Sequence, residues 1–481
     1  MRKKYIMREM RQYVQYAIVA VMYLLALYVA LTMYGQGGAN WDFIDHWLYA
    51  KSLVTPRFYS ALFGGNLYNA IQYGDAFYFE TLRAPLTGLL MAPFVWLGGN
   101  GAIPEYLAFA LLLLASASVY ASRKLDLPPS LLAMLLLTPY SALFLLLLNG
   151  TEIVSMSIML ISVSLLVERD WKAGIFMGLA AMAKYPNLIF VPLIFLLPSR
   201  QRGRAVLAFS LIILSWLAFN TIVFHDPIMS YLISIGAFSQ GGTSGFFPPG
   251  TMAQSLWLVL PELAPAAAIL AIAIVAAILR HGGNYGIVIA KLAKAIRLQG
   301  HKYGIVLYFL CLGLLGWLMT AARGSINDLP RLGYLIYGGL AMLLAMLAYD
   351  STGGPAAGSA TVRKLLFSAL FVIMAAVSVT WFPYTNYVFY GSLNPVLLSA
   401  ESAINGAGIG GCNIVSNNWV YLIFAGYRAH FPYYYNSTVQ RYPIVFFPVF
   451  NSNNTAVNFA NVTKRIEYNG FVIAFPKNRT C

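Results

Sequence analysis

The sequence predicts an all-α polytopic membrane protein of about 10–13 transmembrane helices, with a large first outer loop and a small extracellular C-terminal α/β domain. Three observations carry this prediction. The 481 residues are 59% hydrophobic and only 10% charged, a mean hydropathy of +0.69 that water-soluble domains of this length do not reach. Apolar stretches long enough to cross a hydrocarbon core of ~30 Å recur along the chain, separated by breaks rich in Gly, Pro, Arg and Lys. The last hundred or so residues change character, with Asn, Tyr and short apolar runs replacing the long ones.

The net charge of +15 would suit a nucleic-acid binder if the basic residues clustered on a soluble face. Once the spans are placed, nearly all of the excess falls on one side, in "MRKKYIMREMR", "SRQRGR" and "KLAKAIRLQGHK". That asymmetry is the positive-inside signature, so this side is expected to be cytoplasmic, the protein to sit in the cell membrane, and no nucleic acid is called for. The N-terminus is then cytoplasmic and the C-terminus extracellular.

The first span is expected near residues 14–34, retained because no small-residue cleavage site follows it. The segment 35–103 is too long for a connector and is read as an outer loop with interfacial helices. Within it, "APLTGLLMAPFVWLGG" is short for a span and is placed along the outer interface. Spans follow near 104–121, 129–148 and 151–167. Residues 173–198 read as two half-length pieces hinged at "AKYPN", where Pro186 disfavours helical geometry in the residue before it. Later spans are expected near 205–224, 252–280, 304–320, 331–349 and 364–382. This divides the chain into a transmembrane domain, 1–382, and an extracellular domain, 383–481.

In the tail, "YPIVFFPVF" and "GFVIAF" read as strands. Four glycosylation sequons, at Asn436, Asn453, Asn461 and Asn478, agree with an external location and fit an archaeal or eukaryotic source. Cys412 and Cys481 fall in the same tail, where a disulfide is compatible with an oxidising compartment, while Cys311 lies in a span.

The candidate chemistry lies in the first outer loop. Asp42, Asp45 and His46 follow the first span, where a carboxylate close to hydrocarbon is costly without a partner or a task. They form either an interfacial helix with its acids in water or a general base. Glu80 and Arg83 stand three apart before Pro85 and an apolar helix, as a structural ion pair or with Arg83 as a phosphate clamp. Lys184 at the hinge either snorkels or meets a phosphate. Arg323, Asp328 and Arg331 cluster on the outer side between two late spans, as helix-end anchors or as a pocket for a lipid-linked phosphate. Glu152 is a helix-start acid favoured by the macrodipole, or a second acid of the site. His46, His225, Asp226 and His430 do not reproduce a zinc spacing, and neither a phosphate-binding glycine loop nor a nucleophile elbow is present.

On these residues the chain resembles the GT-C superfamily of membrane glycosyltransferases. "DHWLYA", Asp45 to Ala50, is similar to the Asp-x-x-x-Tyr-Ala spacing of the lipid-A aminoarabinose transferases, and "YFETLRAPL" to their Tyr-Phe-Glu-Lys-Pro-Pro-Leu. "GGNLY", Gly64 to Tyr68, is closer to the polyprenol-phosphate-mannose-dependent mannosyltransferases, a register that gives Asp42 the catalytic position. "GLAAMAKYPNLIFVPL" and "INDLPRLGYLIYGGLAML" resemble the superfamily's lysine hairpin and late arginine loop. The chain departs from both patterns at Arg83-Ala84-Pro85 and at His46, which leaves the base open between Asp45 and Asp42.

The resemblance implies a polyprenyl-phosphate-linked sugar donor, a glycan, lipid or protein acceptor, and contact with membrane lipids. It implies Arg83, Lys184, Arg331 and Arg323 as phosphate ligands, with His46, Glu80, Glu152 and Asp328 nearby. No cofactor is required by the pattern, although some members use a divalent cation, Mg or Mn. A transporter or flippase of lipid-linked sugars would also place charges beside a lipid path, and a receptor would concentrate its work in the tail.

Overall fold

A computed structural model of the chain describes residues 2–35, 41–55, 84–137, 151–224, 227–228, 285–322, 334–351, 394–417, 421–422, 425–430, 442–447 and 462–477. The described residues are mostly helical, with a small sheet near the C-terminus. Four helical stretches are long and apolar enough to cross a membrane: Tyr13–Thr32, Pro85–Lys124, Ser199–Ile222 and Gly300–Met319. Shorter apolar helices pack among them. On α1 (Arg2–Gly35), Val21, Leu24, Leu25 and Tyr28 are each more than half exposed, an outward apolar face suited to lipid and unsuited to water.

Helix α2 (Trp41–Leu53) packs on α3 (Pro85–Gly98), whose first turn is set by a proline that needs no helical donor. The piece at 85–98 is a helix of its own, separate from the one that follows. A short 3₁₀ turn, Gly99–Ala102, folds α4 (Ile103–Lys124) back against α3, placing the Phe94 ring 5.6 Å from that of Phe109. Glu105 in the first turn of α4 and Arg123 and Lys124 in its last complement the helix dipole. Helix α5 (Pro129–Leu136) follows, and then α6 (Thr151–Val167).

Every residue of α6 except Ile161 is buried. A helix that is apolar on all sides can only be central. Its serines avoid the cost of burial by bonding locally, Ser157 to the Ile153 carbonyl (2.6 Å) and Ser164 to that of Leu160 (2.6 Å), or to a neighbour, Ser162 to the Ala173 carbonyl (2.9 Å).

That last bond seats α7 (Ala173–Ala183) antiparallel to α6. The chain then breaks at Lys184, which is extended, and continues as a 3₁₀ segment, Tyr185–Leu196. Pro186 explains the break, because its ring and missing N–H cannot continue an α-helix through the preceding turn. Helix α8 (Ser199–Phe224) runs alongside α7. Their contact depends on Gly174, where a Cβ would lie 2.1 Å from the Ala205 carbonyl oxygen. Such small-residue approaches are how membrane helices close on one another. Gly174→Ala is therefore expected to destabilise the protein by about 1–3 kcal/mol, read as a lowered melting midpoint in detergent, whereas Gly203→Ala, with open space around it, should melt as wild type.

Helices α9 (Tyr285–Leu298), α10 (Gly300–Ala322) and α11 (Tyr334–Ser351) complete the described helical body. One rim gathers its charges. Lys124 pairs with Glu168 (2.6 Å), Lys302 with Asp126 (2.5 Å), and Arg123 donates to the Tyr16 hydroxyl (2.7 Å). The Tyr303 hydroxyl donates to Asp350 (2.8 Å). Two non-glycine residues, Asp126 and Arg169, adopt left-handed φ of 59° and 60° to end α4 and α6 at this rim. Each turn closes with a bond back into the helix, Leu127 N to Ser122 O (2.7 Å) and Asp170 N to Leu165 O (2.9 Å). The contacts thus bring together the N-terminal part of α1, the C-termini of α4, α6 and α11, and the N-terminus of α10.

The C-terminal residues have a second, separate apolar core. Five strands, β1 (Asn413–Ser416), β2 (Arg428–His430), β3 (Ile444–Phe446), β4 (Val462–Tyr468) and β5 (Phe471–Pro476), form a mixed sheet in the order β2-β1-β3-β5-β4. Both β3 and β5 lie in apolar runs that the sequence reads as strands. β1 pairs in parallel with β2 and β3, and β5 is antiparallel to β3 and β4. Helix α12 (Asn394–Gly406) packs on β5. Buried Asn417 extends the ladder with its side chain, accepting from the Phe447 N–H (2.9 Å) and donating to the Phe447 carbonyl (2.8 Å). Burial, and then its hydrogen bond to Glu401 (2.6 Å), raise the Tyr421 hydroxyl well above its usual pKa, so it remains a donor. Cys412 is disulfide-bonded and Cys311 is free, while Cys481 lies outside the described residues.

Candidate functional site

The most unusual chemistry among the described residues lies inside the helical body. Lys184, 7% exposed, donates from its ammonium to Oε1 of Glu152, which is fully buried. Glu152 Oε2 accepts from the Thr151 hydroxyl (2.6 Å). Three residues beyond Lys184, the Asn187 amide donates to the Ser155 hydroxyl (2.5 Å) and to the Ala180 carbonyl (2.7 Å). Its oxygen accepts from the Tyr334 hydroxyl at the start of α11 (3.2 Å). The Tyr334 ring also faces the ammonium, 5.8 Å from its centroid. Four elements, α6, α7, the 3₁₀ segment and α11, thus meet at one polar knot.

The local sequence explains the geometry. Pro186 ends α7 at Ala183, so Lys184 leaves the helix in extended form and reaches back to the first turn of α6. Glu152 occupies that first turn, where the helix dipole favours an anion. An isolated ammonium or carboxylate in such surroundings would be prohibitively costly, and the pairing with its hydrogen bonds is what makes both tolerable. Counting the rise of α6, the pair sits about 22 Å along the helix from the charged rim at Val167.

An aromatic wall connects this knot to α2. Tyr106 of α4 is buried within electrostatic reach of Glu152. The Phe43 and Trp47 rings of α2 lie 6.0 Å and 6.2 Å from it, and Phe94 of α3 lies 5.7 Å from it. The Trp47 indole donates to Asn100 (2.9 Å), fixing α2 to the turn between α3 and α4. The Tyr49 ring occupies the space over Gly88, where a Cβ would lie 2.0 Å from it. His46 is buried.

Helical spacing places positions 42, 45, 46 and 49 within one arc of roughly 100° on α2, away from the arc of Phe43 and Trp47. Asp42 and Asp45 are therefore residues of a helix docked on the body, though their side chains lie outside what is described. Glu80, Arg83, Arg323, Asp328, Arg331 and the sequon asparagines Asn436, Asn453, Asn461 and Asn478 also fall outside the described residues, as do His225 and Asp226.

The sequence treats Lys184 and Glu152 separately, whereas the structure pairs them. It also brings in Thr151, Ser155, Asn187, Tyr334 and Tyr106, which sequence reasoning did not nominate. The available signal was spacing: "TEIVS" and "AKYPN" each carry polar side chains that recur within one turn in otherwise apolar runs. Among the described residues no group of three or more His, Cys, Asp or Glu side chains is arranged to hold a metal ion. No protein-family model, no curated protein and no solved structure matches the chain.

Proposed function

We propose that the chain is a membrane glycosyltransferase that moves a sugar, a hexose such as mannose, from a polyprenyl-phosphate donor to an acceptor at the membrane face opposite the charged rim. The single observation that carries the reading is the buried Lys184–Glu152 pair, deep in an apolar body and joined by the Tyr106 wall to the helix bearing Asp42 and Asp45. Ionisable groups at that depth are rarely scaffolding. The charged rim is the cytoplasmic one by the positive-inside rule, which leaves the α2 side facing outward.

In this mechanism Asp45 or Asp42 takes the proton of an acceptor hydroxyl as its oxygen attacks the anomeric carbon. The bond from that carbon to the phosphate oxygen breaks, polyprenyl phosphate departs, and one displacement inverts the anomeric configuration. Lys184, Arg83, Arg331 and Arg323 offset the charge that develops on the phosphate. Glu152 holds the ammonium in place until the phosphate arrives, which spares an unpaired charge in the empty site.

The test uses the full chain in lipid bilayers with radiolabelled dolichyl-phosphate-mannose or dolichyl-phosphate-glucose and a membrane extract as acceptor. Label is expected to leave the polyprenol for an acceptor without any nucleotide sugar. Transfer only from a nucleotide sugar rejects the donor class. Label that crosses the bilayer while still on its lipid identifies a flippase instead.

A further inference from the structure

We infer that α9 is a lipid-sensing element that grips anionic phospholipid headgroups at the charged rim. From Tyr285 to Lys302 the chain carries three basic residues on α9, Lys291, Lys294 and Arg297, then His301 and Lys302, and no acid. The spacing of three puts positions 291, 294 and 297 on one arc of α9, with Leu292 and Ile296 on the opposite one. Lys294 and Arg297 are exposed, and so are apolar Leu298 (74%), within the basic arc, and Ile289 (66%), on the arc of Leu292 and Ile296. Exposed apolar side chains on the same helix as an acid-free basic stripe suit the boundary between headgroups and acyl chains.

The depth of the helix is fixed independently. Only Gln299 separates α9 from α10, whose apolar run is long enough to cross a membrane. That end of α10 is pinned to the rim by Lys302–Asp126 and Tyr303–Asp350, and α9 itself packs against α10 and α11. An apolar span starting at Gly300 puts the preceding residues level with the phosphate layer of the leaflet on that side. Bilayer lipids are therefore the occupant that the charge and the position select, and binding is expected to stiffen α9 and, through its contacts, the foot of α11, whose other end carries Tyr334.

The experiment compares amide hydrogen exchange of residues 285–298 in the full chain, in nanodiscs of phosphatidylcholine alone and with phosphatidylglycerol added. Exchange is expected to slow by about tenfold to 100-fold with the anionic lipid, each basic residue near such a surface contributing roughly fivefold. Lys291→Gln/Lys294→Gln/Arg297→Gln should lose the difference and Lys291→Arg/Lys294→Arg should keep it. Wild-type exchange equal in the two lipids overturns the inference without recourse to any variant. A difference retained by the triple Gln protein overturns the role of these charges. Neither result depends on sugar transfer.

Discussion

Transfer activity is expected to fall by about 10²- to 10⁴-fold when the base of the site is removed, and comparison of Asp45→Ala with Asp42→Ala identifies which residue that is. The two positions are three apart on α2, so they share a face, but only one can meet the acceptor hydroxyl at hydrogen-bond distance in a single pose. One variant should lose activity by this amount with donor binding intact, and the other should stay within about tenfold of wild type. Initial rates at saturating polyprenyl-phosphate sugar make the comparison. If both variants transfer at the wild-type rate, α2 has no part in the chemistry and the proposal loses its base.

The second large effect concerns stability. Neutralising one member of the Lys184–Glu152 pair, by Lys184→Met or Glu152→Leu, is expected to cost about 3–5 kcal/mol, because it leaves the other charge buried without its counter-ion. Replacing both together should restore most of the loss, since a well-packed apolar pair often serves stability as well as a buried ionic one. Melting midpoints of the four proteins in one detergent complete the cycle. The double replacement should nevertheless be inactive if Lys184 meets the donor phosphate, which separates the structural contribution of the pair from its chemical one. Single variants that melt like wild type would show that the pair contributes little to holding the body together.

Much of the helical framework is legible in the sequence because its signal is strong and local. Apolar length predicts spans near 104–121, 151–167 and 304–320, where α4, α6 and α10 lie, and Pro186 marks the hinge after Lys184. Strand β5 is legible in "GFVIAF" because a short β-branched and aromatic run bounded by glycine and proline has few alternatives. The polar knot is less legible. Glu152 and Lys184 are 32 residues apart, and Tyr334 lies a further 150 along, so their meeting depends on how four elements pack. No local pattern encodes that. The same limit applies to α3: its shortness and the Gly pair after it mark a break, while the meeting of Phe94 with Tyr106 and Phe109 depends on how α3 folds back on α4.

The hinge after α7 also bears on biogenesis. Eleven helical residues rise only about 16 Å, so α7 alone is too short to span a bilayer, and the Lys184 ammonium that follows it needs its counter-ion before it can be buried. The acid that receives it belongs to α6, which is synthesised earlier and is covered on nearly every side in the finished protein. Ribosomal order therefore delivers the receptor before the cation, and the hairpin is expected to integrate late, by docking onto neighbours already in the bilayer.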